Sequence, residues 1–295
     1  MNLLRRILVA TDFSPAGHAA VARAGQLADQ YHCQLMVFHA TPDWTLFSQR
    51  ATAHQQHYAD ITRNAEELMH VEIGWLGREY GLTTARGEVH RDRATLAVTR
   101  AIESFQPDLL VIGAGGEHVL PGGGVVLGGT ALKLISRVSM PLLLVRNPAP
   151  VAYQSTLAAV AGELSTALRL THWASTLAGS GTCHVVRAYD APYVDRMRLC
   201  RLSNTEIAES AEEQRRIALQ DCEALERAAQ PKHLVVHIVR GVPVPTVLGQ
   251  VAQYGPQLVV IGQHQRHADE HPAAWAAGLG TRVAYHCPTD VLMVP

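Results

Sequence analysis

Asp108-Leu-Leu-Val-Ile-Gly113-Ala-Gly-Gly116, continuing through Gly122-Gly-Gly124 to Gly128-Gly129-Thr130, is the stretch on which the reading of this chain turns. Leu109 to Ile112 is wholly apolar, which suits a short strand buried on both faces of a parallel sheet. The run breaks into glycine, whose backbone can take positive φ and come close to a ligand. From about Thr130 the spacing turns helical, with Leu132, Ile135 and Ser136 three and four apart and Lys133 and Arg137 turned outward. Strand, glycine loop and helix start bring free backbone N–H groups and the positive end of a helix dipole together, a layout that can hold phosphate. The same glycines can equally serve a tight turn and nothing more, so both readings stand here.

The segments on either side extend the pattern. Ile7 to Thr11 is expected as a first strand ending in Asp12-Phe-Ser-Pro15, with Ser14 able to cap the next helix and Pro15 at its first position. That helix carries Val21, Ala24, Ala28 and Tyr31 on one side. Gln34 to Ala40 reads as a second strand. Residues 51–80 read as a long helix on which Ile61, Ala65, Leu68 and Val71 line up. Thr83 to His90 (strand), Ala94 to Phe105 (helix), Leu109 to Ile112 (strand) and Pro141 to Val145 (strand) complete an alternating β-α order. Such an order implies a parallel sheet with helices on both faces.

Asn147-Pro-Ala-Pro150 leaves no room for a regular element and reads as a linker. Beyond it the programme repeats. Adding 150 carries Cys33 onto Cys183, Pro42 onto Pro192 and Leu27-Ala28 onto Leu177-Ala178; adding 149 carries Pro107 onto Pro256, Ile112 onto Ile261, Gly113 onto Gly262 and Val145 onto Val294. Two offsets that differ by one and hold over whole halves mark a tandem duplication. The expected fold class is therefore α/β, with two tandem open parallel five-stranded sheets of Rossmann-like form, in domains 1–146 and 151–295.

Bulk properties narrow the function classes. Hydrophobic residues make up 47% of the 295, and 25 Lys plus Arg against 26 Asp plus Glu gives a net charge of -1. That balance argues against a general binder of nucleic acid or membrane surfaces, which would carry a basic excess. No apolar run approaches the roughly eighteen residues of a membrane span. The N-terminal stretch has no long apolar region and reads as the first strand in place of a signal peptide. Five cysteines without a CxxC pattern read as reduced, structural thiols of a cytoplasmic protein.

Several residues invite chemistry. Asp12 falls at the carboxyl end of the first strand, the edge where open parallel sheets bind ligands. Its carboxylate either accepts hydrogen bonds from a ligand or caps the following helix, with Ser14 as rival for the cap. In the second half Gly162 stands where the first has Asp12, Gln265 replaces Gly116 and Ala277 replaces Gly128. His264, His267 and His271 near Asp269 could supply metal ligands, or belong to a polar surface loop; without flanking cysteines no metal is expected. His54 and His57 read as a solvated face. GxSxG, HExxH and GxxxxGK[ST] are all missing, so no catalytic residues are assigned. Without a Walker lysine, little cationic charge would stabilise a transferring phosphoryl group, which favours binding over turnover.

Val9-Ala-Thr-Asp-Phe-Ser14, the glycine stretch with Gly128-Gly129-Thr130-Ala-Leu-Lys133, and the endings Ser139-Met-Pro-Leu-Leu-Leu-Val145 and His286-Cys-Pro-Thr-Asp-Val-Leu-Met-Val294 together resemble the universal stress protein family in its tandem form. The resemblance covers both halves. The family's loop is Gly-x2-Gly-x9-Gly-[Ser/Thr]; here eleven residues (117–127) intervene, Gly129 stands at the hydroxyl position with Thr130 beside it, and Asp92-Arg-Ala94 replaces a common Gly-x-Pro that the second half keeps as Gly241-Val-Pro243. The resemblance implies an adenine nucleotide alpha hydrolase-like fold and an ATP or AMP site, with or without Mg²⁺, in the N-terminal half. Asp12, with Ala10 and Thr11, would contact the adenosine part and Ala40 would border it. Gly113, Gly116, Gly128, Gly129 and Thr130 would surround ribose and phosphates. It further implies a stress-response protein that turns ATP over slowly at most, its two domains paired as in a dimer of single domains, with a homodimer as a further assembly. The competing classes are an adaptor that binds no nucleotide and an enzyme of the wider adenine-binding group, whose SGGxDS and HIGH-type signatures are lacking.

Overall fold

The computed structural model describes residues 4–42, 52–119, 125–146, 151–189, 203–229, 233–263 and 278–295, with backbone alone at 52–59, 116–119 and 125–126. The chain divides into two compact units, Met1–Ala152 and Tyr153–Val294.

Ile7, Leu8 and Val9 are three successive residues with no exposure. Successive side chains of a strand point to opposite faces, so both faces of β1 (Arg6–Ala10) are covered. β4 (Leu109–Gly113) shows the same at Leu109, Leu110 and Val111. β1 pairs in parallel with β4 on one side and with β2 (Gln34–Thr41) on the other. Adding β3 (Arg86–Arg91) beside β2 and β7 (Leu142–Val145) beside β4 gives the order β7-β4-β1-β2-β3 in the first unit. β3 is the charged, largely exposed strand Arg-Gly-Glu-Val-His-Arg, a composition suited to a sheet edge.

Helix α1 (Pro15–Tyr31) packs on β1 and β4 and against α2 (Thr52–Tyr80); α3 (Ala94–Phe105) packs on β1 and β2 and against α4 (Gly129–Ile135). Between β4 and α4, β5 (Gly115–Val119) pairs antiparallel with β6 (Val125–Leu127), where the sequence reading gave a glycine loop. Two further expectations shift. On α2 the buried residues are Ala65, Met69, Glu72 and Leu76, while Leu68 and Val71 are 47% and 64% exposed. The two candidate stripes share Ala65 and then part by one residue, which turns a helix by about 100°. β3 begins at Arg86 and not Thr83, because residues 81–85 form a turn in which the Thr83 N–H donates to Gly81 and the Ala85 N–H to Leu82.

The second unit repeats this order as β8 (Ser155–Val160), α5 (Leu164–Ala178), β9 (Thr182–Tyr189), α6 (Asn204–Ala229), β10 (Leu234–Arg240), α7 (Pro243–Tyr254), β11 (Leu258–Gly262), α8 (Leu279–His286) and β12 (Asp290–Val294). Its strand order, β10-β9-β8-β11-β12, matches the first strand for strand. α7 and β11 lie 149 residues after α3 and β4 at both ends. The fold is α/β in both units, with five parallel strands in each.

Candidate functional site

From β1 the chain crosses to β2 on one side, while β4 and the glycine stretch lie on the other. A crevice therefore opens at the carboxyl ends of these strands, where neighbouring connections leave in opposite directions. A cavity of about 190 Å³ occupies it, lined by Ala10, Thr11, Asp12, Ala40, Gly113, Gly128, Gly129 and Thr130 among others. Four separate stretches of sequence meet there.

The turn from β1 into α1 is tightly specified. Ser14 is the helix N-cap: its hydroxyl oxygen accepts from the Gly17 N–H at 3.1 Å. The Ser14 N–H and Oγ–H in turn donate to Asp12 Oδ1 at 3.0 and 2.5 Å. Ser14 thus takes the cap, and the exposed Asp12 carboxylate stays at the cavity with only Oδ1 engaged among the described residues. Phe13 between them holds φ 61°, a left-handed conformation that costs a non-glycine residue about 1–3 kcal/mol where it persists at a site. Its N–H donates to Thr11 Oγ1 at 3.0 Å, and its ring lies 4.4 Å from that of His39, so the strain is offset locally.

Two glycines permit close approach at this turn. A Cβ on Gly17 would stand 2.6 Å from both Asp12 Oδ1 and Thr11 Oγ1. A Cβ on Gly113 would stand 2.7 Å from the Ala16 carbonyl oxygen, so this glycine lets α1 settle on β4 while its backbone borders the cavity. Gly115, which opens β5, lines the cavity, and Gly116 follows it in the same strand. Gly115 pairs with Leu127, and the Gly128 N–H donates to the Ala114 carbonyl at 3.1 Å. Gly122 to Gly124 fall outside the described residues.

Sequence reasoning passed over Gly17, Phe38, His39, Ala94 and Val98, all of which line the cavity. His39 Nδ1–H donates to the Thr11 carbonyl at 2.8 Å, joining the end of β2 to the turn that carries Asp12 and leaving Nε2 as the acceptor of the neutral ring. Its place at the carboxyl end of a central strand was a usable signal, as was a glycine in the first turn of α1. Phe38, Val98 and Leu134 make much of the wall apolar, as is usual for small-molecule sites.

The second unit lacks these devices. Its left-handed turn residue is Gly162 (φ 70°), Ala167 stands where the first unit has Gly17, and Tyr189 where it has His39. The α5 N-cap, Glu163, makes no side-chain cap bond. Arg187 pairs with Asp221 at 3.1 Å beside a cavity of about 40 Å³. Gln265 and the histidines at 264, 267 and 271 lie outside the described residues, as do the side chains of His54 and His57. Among the described residues no group of three or more His, Cys, Asp or Glu is placed to hold a metal, and no helix is long and apolar enough to cross a membrane. The thiols of Cys33 and Cys222 are pushed by burial up to about 11, so both are poor nucleophiles.

The family model of the universal stress protein family matches residues 4–146 and again 152–295. No curated protein sequence matches the chain. Among solved structures, the chain is similar to a universal stress protein from Archaeoglobus fulgidus DSM 4304 at 15% identity, with 98% of this chain and 97% of that one covered and a TM-score of 0.66. It is likewise similar to a candidate universal stress protein from Pseudomonas aeruginosa UCBPP-PA14 at 16% identity, covering 99% and 93%, with a TM-score of 0.64. At these identities the likeness speaks for the fold.

Proposed function

The chain belongs to the universal stress protein family in both of its halves, and from that premise we propose that its first unit binds an adenine nucleotide, ATP or AMP, as a cytoplasmic stress-response protein with little or no turnover. One observation carries the reading: Asp12, Ala40, Gly113, Gly128, Gly129 and Thr130, far apart in sequence, border a single cavity at the carboxyl ends of β1, β2 and β4. The residues suit such a ligand chemically. Asp12 Oδ2 can accept from a ribose hydroxyl or an adenine amine, while Oδ1 is held by Ser14. Ala10, Ala40 and Ala94, partly exposed at the cavity, offer apolar surface to a base. The backbone N–H groups that open α4 have no intrahelical acceptor and can donate to a phosphate oxygen. Among the described residues no lysine or arginine lines the cavity, so none of those would neutralise charge on a transferring phosphoryl group, and slow hydrolysis at most is expected. Mg²⁺, if it accompanies ATP, would come with the nucleotide.

The second unit, with Gly162 in place of Asp12, serves as a structural partner in this reading. Calorimetric titration of the whole chain with AMP and with ATP, with and without Mg²⁺, tests it, alongside Asp12→Ala. Losing a charged acceptor is worth about 1.5–3 kcal/mol, so binding should weaken by roughly ten- to a hundredfold. Absence of binding by the unaltered protein under all conditions would leave the adaptor class as the better reading. Binding unchanged by Asp12→Ala would move the site elsewhere.

A further inference from the structure

We propose that the second unit holds a zinc ion, or a divalent cation of similar chemistry, between His184 and His237. β9 and β10 run in parallel with Val235 beside His184 and His237 beside Val186. Alternate residues of a strand share a face, so the two histidines lie diagonally across one face of this pair of strands. His184 Nδ1 and His237 Nε2 stand 3.0 Å apart, with ring centres separated by 5.2 Å. Two imidazoles on one tetrahedral zinc, each with a Zn–N bond of about 2.0–2.1 Å, put their nitrogens about 3.3 Å apart and their ring centres about 5.2 Å apart. An ion can therefore replace the shared hydrogen bond when the nitrogens part by about 0.3 Å, with the ring centres left in place.

The surroundings prepare the pair as ligands. Tyr254, the last residue of α7, brings its hydroxyl to 3.3 Å from His237 Nδ1 and stacks its ring on both imidazoles, with centres 4.8 Å and 4.5 Å away. When His237 Nδ1–H donates to Tyr254 Oη, the lone pair is left on Nε2, the nitrogen that faces His184. His184 needs only the tautomer protonated at Nε2 to free its own Nδ1. Burial lowers the pKa of both histidines, so the rings are neutral at about pH 7, as metal ligands must be. All three side chains belong to partly exposed residues, so water can fill the remaining coordination positions. In the first unit Glu88 and Phe105 stand 149 residues before His237 and Tyr254, so this imidazole and its phenol partner belong to the second unit alone.

The test uses the whole chain after treatment with a chelator. His264, His267 and His271 are replaced by Gln in every sample, so that any metal they bind does not enter the count. Equilibrium dialysis against Zn²⁺ should give one ion per chain. His184→Gln and His237→Gln should each weaken binding by at least tenfold, and Tyr254→Phe, which leaves both ligands, by about tenfold. Urea unfolding shows whether each variant is folded, and Zn²⁺ should raise the midpoint of the parent chain but not of the two Gln variants. Co²⁺ supplies a readout that needs no further substitution, because the parent chain should acquire the visible absorption of a tetrahedral nitrogen-ligated ion. Failure of the parent chain to bind Zn²⁺ or to give the Co²⁺ band would overturn the proposal. Zinc binding that both His184→Gln and His237→Gln leave unchanged would overturn it equally.

Discussion

Alanine at position 17 sets two effects of known size against each other. In an ordinary helix interior, Gly→Ala is favourable by about 1 kcal/mol. Gly17 is not in an ordinary position, because its Cβ would meet Asp12 Oδ1 and Thr11 Oγ1 at 2.6 Å and the Asp12 backbone nitrogen at 3.1 Å, where ordinary contact begins at 3.4 Å. The turn must therefore retreat by roughly 0.8 Å. Both oxygens are held, Oδ1 by two donors from Ser14 and Oγ1 by the Phe13 N–H, so retreat strains several hydrogen bonds together. Overpacking of this kind costs about 1–3 kcal/mol. Gly77 is the matched control: it lies inside α2 with nothing within 4 Å of its Cβ, so it registers the helix gain alone. Gly77→Ala should raise the midpoint of thermal unfolding by about 2–4 °C, and Gly17→Ala should fall short of Gly77→Ala by about 1–3 kcal/mol. Gly17→Ala should also weaken AMP binding, since Asp12 moves with the turn. If both variants raised the midpoint equally, the close approach at Gly17 would not exist and the geometry argued for Asp12 would fall with it.

Two predictions concern the second unit. His184 Nδ1 and His237 Nε2 share a hydrogen bond at 3.0 Å, and Tyr254 Oη lies 3.3 Å from His237 Nδ1 with the three rings stacked. Burial lowers the pKa of both histidines, and for His237 the neighbouring His184 lowers it further. The unfolded chain therefore takes up protons first, so the stability these groups contribute is full above about pH 6.5 and is lost as pH falls through the lower folded values. Urea midpoints between pH 7.5 and 5 should decline less steeply in a His184→Gln, His237→Gln variant, and parallel slopes would refute the assignment. Tyr153 Oη–H donates to Asp290 Oδ2 at 2.7 Å with both residues fully buried. Tyr153→Phe removes that donor without changing packing and should cost about 1–3 kcal/mol, read as a lower urea midpoint at constant slope; a change under about 0.5 kcal/mol would contradict it.

Sequence alone determined the alternation of strands and helices and the doubling of the chain, because both are written in local periodicity. Ile7 to Val9 and Leu109 to Val111 are apolar without a break, and only a strand covered on both faces calls for that. The carboxyl ends of such strands collect ligands for topological reasons, so Asp12 could be named from its place in the pattern, while Ala40 came from the family resemblance alone. Three-dimensional packing decided the rest. Whether α2 buries Leu68 or Met69 depends on which face meets α1 and β3, a difference of one residue that composition leaves open. Ser14 took the cap that Asp12 could have filled because its hydroxyl reaches the Gly17 N–H, and that choice left the carboxylate at the cavity. The glycines, alike in sequence, separated by what surrounds them. Gly17 and Gly113 make room for neighbouring atoms, and Gly129 faces open space. A glycine's role is fixed by the atoms that would touch its missing Cβ, and those come from distant parts of the chain.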